Sequence, residues 1–239
     1  MVSKVNNSRI IVSLDFADAE SALKLIDKLD AKKCRLKVGK ELFTSVGPQF
    51  VEKLVMRGFD VFLDLKYHDI PNTVARACSA AAELGVWMLN VHASGGREML
   101  TRARQAIDES SNKPLLIAVT VLTSLSSEDL LEIGLKQSVD EQVRCLASLS
   151  QSTGLDGIVC SAQEAASMRA NLGSNFKLIT PGIRLANDSC DDQKRIMTPA
   201  KAISGGSDYL VVGRPITQAH DPLQVLLEIE SEIESVTAA

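Results

Sequence analysis

The chain has little of what marks several broad protein classes. Its five cysteines, Cys34, Cys78, Cys145, Cys160 and Cys190, are odd in number, widely scattered and free of any C-x-x-C pair. That pattern argues against a disulfide framework and a zinc site, and it fits a reduced cytosol. No apolar run approaches the roughly 18 residues that a membrane span needs. The N-terminus passes from polar Ser3 to Ser8 directly into Ile10-Ile11-Val12-Ser13-Leu14-Asp15, without the apolar core and cleavage site of a signal peptide. A soluble, cytoplasmic protein without a membrane partner is expected. Lys and Arg number 26 against 30 Asp and Glu, a formal charge of -4, and no basic block is interleaved with aromatics. Nothing therefore points to nucleic acid. Flexible linkers, low-complexity tracts and sequence repeats are lacking too.

What is present is a regular alternation. Short apolar, β-branched runs lie at Ile10 to Leu14, Arg35 to Val38, Val61 to Leu65 and Trp87 to Val91. Four more follow at Leu115 to Val121, Gly157 to Cys160, Lys177 to Thr180 and Tyr209 to Val212. Helical patterns intervene at Ala19 to Leu29, Gln49 to Arg57, Thr73 to Leu84, Arg97 to Asp108, Asp140 to Leu149 and Gln163 to Leu172, with a last one from Pro222 to Ile233. Eight such units in 239 residues predict an α/β fold, a (β/α)8 TIM barrel forming a single domain over residues 1–239. One connection is anomalous: Leu185 to Thr198 is long and polar, precedes a helix start at Pro199, and reads as a lid.

In such barrels the active site lies at the C-terminal ends of the strands, so the residues following each run form one ring. The third run ends in Asp64-Leu65-Lys66-Tyr67-His68-Asp69-Ile70. In an extended strand Asp64 and Lys66 share a face, and Asp69 can curl back beyond the strand end, setting an ammonium between two carboxylates. Such neighbours keep Lys66 protonated and suit it to act as a positioned acid. A surface salt bridge is the plainer alternative. The ring also offers Asp15, Lys37, Lys40, His92, Thr123, Ser161, Arg184, Gly213 and Arg214. Asp15 either faces the ring or caps the next helix, a task Asp18 can also perform. Lys37 either joins the charge network or snorkels from the strand end, and His92 reads as a structural hydrogen-bonding histidine. Ser161 begins a Ser-Ala-Gln-Glu capping box with Glu164, and capping likewise competes with ligand contact for Thr123 and Ser124.

The loops after the seventh and eighth runs read Thr180-Pro181-Gly182-Ile183-Arg184 and Gly213-Arg214-Pro215-Ile216. Glycine allows close backbone approach, arginine supplies a charge-assisted fork and Pro215 suits a first helical position, so these loops predict a phosphate site.

These motifs, in order, resemble the bacterial orotidine 5'-phosphate decarboxylase family. The resemblance rests on Asp15, Lys37, Asp64-x-Lys66-x-x-Asp69-Ile70-Pro71-Asn72-Thr73, Val91-His92-Ala93, Thr120 to Ser124, Thr180 to Arg184, Gln193 and Val212 to Pro215. It implies conversion of orotidine 5'-monophosphate to uridine 5'-monophosphate and carbon dioxide in pyrimidine biosynthesis, without cofactor or metal. It further implies that Asp64 lies beside the departing carboxylate, that Lys66 protonates ring carbon C6, and that Lys37 and Asp15 hold the ribose and the charge network. Ser161 would contact the pyrimidine, and Gln193, Arg184 and Arg214 would grip the phosphate. Asp69 and Thr73 would reach into a neighbouring subunit's site, making a homodimer with shared active sites. Two other readings stand beside this one: a magnesium-dependent sugar-phosphate decarboxylase of the same barrel group, which would need a carboxylate where Lys37 stands, and a catalytically silent barrel that senses a phosphorylated ligand.

Overall fold

The computed structural model describes residues 6–185 and 197–237. The first half of the chain forms β1 (Ile10–Leu14), α1 (Ala19–Ile26), β2 (Arg35–Gly39), α2 (Lys40–Val46), α3 (Pro48–Met56), β3 (Val61–Tyr67), α4 (Pro71–Glu83), β4 (Met88–His92) and α5 (Gly96–Glu109). The second half forms β5 (Leu115–Val119), α6 (Ser127–Glu132), α7 (Val139–Ser152), β6 (Gly157–Val159), α8 (Ala165–Leu172), β7 (Lys177–Thr180), α9 (Pro199–Ser204), β8 (Tyr209–Val212), α10 (Arg214–Thr217) and α11 (Pro222–Thr237). The strands pair in parallel in chain order, and β8 returns to β1 through Leu210 opposite Ile10 and Val212 opposite Val12, closing the predicted (β/α)8 barrel.

Both faces of each strand are covered, which is why the strands read as almost unbroken apolar runs. Inside the barrel Ile11, Phe62, Met88, Ile117, Ile179 and Val211 pack on one another. Outside it, Val12, Leu36, Leu63 and Leu89 meet the helices, to which α1 contributes Ala22, Leu25 and Ile26. At about 25 cal/mol per Å² of apolar surface removed from water, this two-sided burial is the main favourable term holding the barrel closed.

Every predicted strand forms, with ends shifted by at most two residues. Four short helices were not read as helical patterns: α2, α6, α9 beyond its Pro199 start, and α10. Over four to seven residues a helix completes barely two turns, so its periodicity carries little signal and its stability comes from tertiary packing. Arg214, not Pro215, is the first residue of α10. Most of the expected lid, residues 186–196, lies outside the described residues, but its flanks are tied together. Arg184 N–H donates to the Met197 carbonyl at 3.1 Å and Met197 N–H to the Gly182 carbonyl at 3.3 Å.

Candidate active site

All eight strands run the same way, so their C-terminal ends surround one mouth. There, residues from several strands line a cavity of about 320 Å³, at the lower end of the range for small-molecule sites. Its apolar floor and wall include Phe62, Val119, Val159 and Val211, the upper layer of the barrel interior. Asp15, Lys37, Asp64 and Lys66 form the polar side supplied by β1 to β3. Arg184, Gly182, Gly213 and Arg214 come from the ends of β7 and β8, and Thr123 from beyond β5.

The β3 end departs from the extended geometry expected of it. Lys66 has φ 51, the only non-glycine residue with positive φ among those described. The pairing with β4 shifts there as well: Leu63 lies opposite Leu89 and Tyr67 opposite Val91, leaving Asp64, Leu65 and Lys66 facing Asn90. Left-handed backbone costs an L residue roughly 1 to 2 kcal/mol and persists where surroundings enforce it. Here the Lys66 N–H donates to Asn90 Oδ1 at 2.8 Å.

Charges alternate across the mouth. Lys66 Nζ donates to Asp64 Oδ1 at 2.6 Å, Lys37 Nζ stands 3.3 Å from Asp64 Oδ2, and the same ammonium lies 3.4 Å from Asp15 Oδ1. Ser13 Oγ donates to Asp15 Oδ2 at 2.9 Å, and Asn90 Nδ2 donates to Asp64 Oδ1 at 2.7 Å. Burial pushes the Asp64 carboxyl upward, but the Lys37 and Lys66 ammoniums and the hydrogen bonds from Lys66 and Asn90 outweigh it and hold the carboxyl below the usual carboxylate range. A paired, largely buried carboxylate is thus kept ionised, with the Lys66 ammonium more open than Asp64. Such a pair can repel an anionic group placed beside Asp64 and hand a proton to an atom placed beside Lys66. Cys160 also lines the cavity, but burial pushes its thiol up, away from thiolate nucleophile chemistry.

The competing readings of individual residues separate cleanly. Asp18 caps α1 by accepting from Ser21 N–H at 2.8 Å, which leaves Asp15 to the cavity. Ser126, not Thr123 or Ser124, caps α6. Ser161 is engaged locally: its N–H donates to Glu164 at 2.9 Å and its hydroxyl accepts from Gln163 N–H at 3.3 Å, while the adjacent Cys160 lines the cavity. The expected curl of Asp69 back onto Lys66 within one chain is corrected. Asp69 is exposed, accepts from the N–H of Ile70 at 2.6 Å, and makes no ion pair with Lys66 among the described residues; Asp64 rather than Lys66 has charges of opposite sign on both sides. Thr73, in the first turn of α4, is exposed and also off the cavity. Gln193 lies outside the described residues. His92 stacks obliquely on His68, ring centroids 5.4 Å apart, and does not line the cavity.

Sequence reading missed Ser13 and Asn90. Each was a polar residue inside an otherwise apolar strand, Ile10-Ile11-Val12-Ser13-Leu14 and Met88-Leu89-Asn90-Val91, and a buried polar side chain demands a partner. That interruption was the available signal.

Comparison with known proteins agrees with this geometry. A family model described as "Orotidine 5'-phosphate decarboxylase / HUMPS family" matches residues 8–229. The chain is 61% identical over 226 residues to an orotidine 5'-phosphate decarboxylase of Chromobacterium violaceum, covering 95% of this chain and 92% of that protein. It is 58% identical over 229 residues to one of Saccharophagus degradans, covering 96% of each. Among solved structures, the orotidine 5'-phosphate decarboxylase of Lactobacillus acidophilus superposes with a TM-score of 0.85 at 39% identity, over 95% of this chain and 99% of that one.

Proposed function

This chain belongs to the orotidine 5'-phosphate decarboxylase / HUMPS family, and on that footing we propose how its cavity works. The reaction is decarboxylation of orotidine 5'-monophosphate to uridine 5'-monophosphate and carbon dioxide in pyrimidine biosynthesis. Loss of carbon dioxide leaves an electron pair on ring carbon C6, where no conjugated sink accepts it, so fixed charges must stabilise it. The observation that carries the reading is the chain Asp15–Lys37–Asp64–Lys66, contiguous in one cavity with Arg184 and Arg214.

The substrate carboxylate sits beside ionised Asp64. As its bond to C6 breaks, negative charge moves from the carboxylate to C6, so repulsion from Asp64 falls while attraction to Lys66 grows. Lys66 then protonates C6. Lys37 keeps Asp64 ionised and, with Asp15, holds the ribose; Thr123 and Ser161 meet the ring. Arg184, Arg214 and Gln193 grip the phosphate, and the glycines at 182 and 213 let it approach the backbone. Asp69 and Thr73, exposed and off their own cavity, serve the neighbouring subunit's site in a two-fold homodimer. That assignment accounts for an Asp69 without a Lys66 contact in its own chain.

The magnesium-dependent reading is disfavoured by Lys37, whose ammonium occupies the space between the Asp15 and Asp64 carboxylates. Loss of orotidine monophosphate absorbance, followed before and after exhaustive chelation, tests all three readings. Turnover that survives chelation supports the proposal. Loss of activity restored by magnesium would favour the sugar-phosphate relative's chemistry, and a protein that binds the nucleotide without turnover would be a silent sensor.

A further inference from the structure

Asn90 hydrogen-bonds through its side chain to both halves of the Asp64–Lys66 pair, and it does not line the cavity. It lies mid-strand in β4, is fully buried, and faces three residues of β3 where a regular ladder would offer one. Those three, Asp64, Leu65 and Lys66, form a bulge that breaks the backbone ladder, and its polar groups need other partners. The Asn90 amide supplies them from both ends. Its Oδ1 accepts the Lys66 N–H at 2.8 Å and its Nδ2 donates to Asp64 Oδ1 at 2.7 Å. With Lys66 Nζ on the same Oδ1 at 2.6 Å, the three groups close a ring of hydrogen bonds around the left-handed Lys66.

We propose that Asn90 is a positioning residue for the decarboxylation: it holds Lys66 in left-handed backbone and fixes the rotation of the Asp64 carboxylate, so that proton donor and repelling carboxylate keep one geometry. The inference rests on the catalytic reading of Asp64 and Lys66 above. An amide carries its acceptor and its donor on separate atoms, so Asn90 can engage the Lys66 N–H and the Asp64 carboxylate at the same time. A hydrophobic residue of similar size would leave the part-buried Lys66 N–H at the end of β3 without its partner and free the β3 end to relax toward extended backbone, carrying the ammonium away from C6.

Two substitutions separate the roles. Asn90→Ala removes both hydrogen bonds, whereas the near-isosteric Asn90→Asp keeps an acceptor for Lys66 but sets a second carboxyl against Asp64. For Asn90→Ala, kcat should fall by about 100-fold, the order expected of misplaced catalytic groups, with KM for orotidine monophosphate changed by less than about threefold. For Asn90→Asp, the acid limb of the kcat–pH profile should move to higher pH. The charged and titratable groups around the Asp64 carboxyl are Lys37 from β2, Lys66 from β3 and His92 from β4, with Asp15 from β1 on the far side of Lys37. The Asp64 carboxyl would lose a donor that lowers its proton affinity and gain a like charge that raises it. Folded Asn90→Ala protein with kcat within about threefold of the parent overturns the proposal. So does a loss shared equally between kcat and KM with an unmoved pH profile, or failure of both variants to fold, either of which would make Asn90 a core residue only. If the parent itself does not decarboxylate orotidine monophosphate, the site reading has failed rather than the role of Asn90.

Discussion

At the scale of single residues, the site depends on how few groups hold each charge. Among the described residues Lys66 is the only ammonium bonded to Asp64 Oδ1, and in Lys66→Ala the donor to C6 is gone while Arg184 and Arg214 remain. Turnover should fall by at least about 100-fold, with product binding largely kept. Stopped-flow or absorbance assays on purified protein check this, and turnover within about tenfold of the parent would remove Lys66 from the mechanism. Arg214→Ala should cost the phosphorylated substrate about 10- to 100-fold in kcat/KM, the worth of one charged hydrogen bond, and cost the nucleoside lacking phosphate far less. Equal losses would show that Arg214 does not act through phosphate. His92 gives a pH signature of another kind. Burial first, then the nearby His68, Lys40 and Lys66 charges, with Asp64 opposing, push its imidazole from 6.5 down to about 4. The unfolded chain therefore binds a proton that the folded chain refuses, and stability present above about 6.5 is lost as pH falls toward about 4. Urea unfolding of His92→Gln across that window should show a flatter decline than the parent; matching curves would sink the assignment.

Elements decide where those residues point. The apolar strand runs were legible because both faces of each strand are buried, and α1 was legible because Asp18 caps it and Ala22, Leu25 and Ile26 share a face. The bulge after Leu63 was not legible. Nothing in Asp64-Leu65-Lys66 distinguishes a left-handed turn from extended strand until Asn90 on the neighbouring strand is known to face it. A comparable local device follows β7, where Gly182 at φ 82 lines the cavity and its carbonyl accepts from Met197. An added Cβ is strained in that conformation, so Gly182→Ala should lower stability by about 1 to 2 kcal/mol. A urea midpoint unchanged from the parent would mean that the loop relaxes to another conformation.

For the whole molecule, the question is whether one barrel makes a complete site. Proposed sharing across a two-fold axis has a quantitative consequence. Lys66→Ala and Asp69→Ala subunits, each inactive alone, would combine into heterodimers with one intact and one doubly damaged site. Random reassociation makes about half the dimers mixed, so about a quarter of the parent activity should return. With subunit exchange verified by differently tagged chains, a mixture that stays inactive would show that Asp69 serves its own subunit or none.

By itself the sequence determined the barrel, the ring of polar residues at its mouth and the two Gly/Arg loops, because strand periodicity, helix caps and glycine punctuation are local signals carried in short stretches of chain. It also named Asp15, Lys37, Asp64, Lys66, Thr123, Arg184, Gly213 and Arg214, all of which line one cavity. Tertiary structure alone decided which charges touch. Sequence spacing suggested Lys66 flanked by Asp64 and Asp69; folding instead set Asp64 between Lys37 and Lys66, because strand pairing brings β2 and β4 against β3 while the turn after Tyr67 carries Asp69 outward. The alternation of charge depends on contacts between residues more than twenty positions apart, Lys37 with Asp15 and Lys37 with Asp64, and no local pattern encodes a partner at that distance.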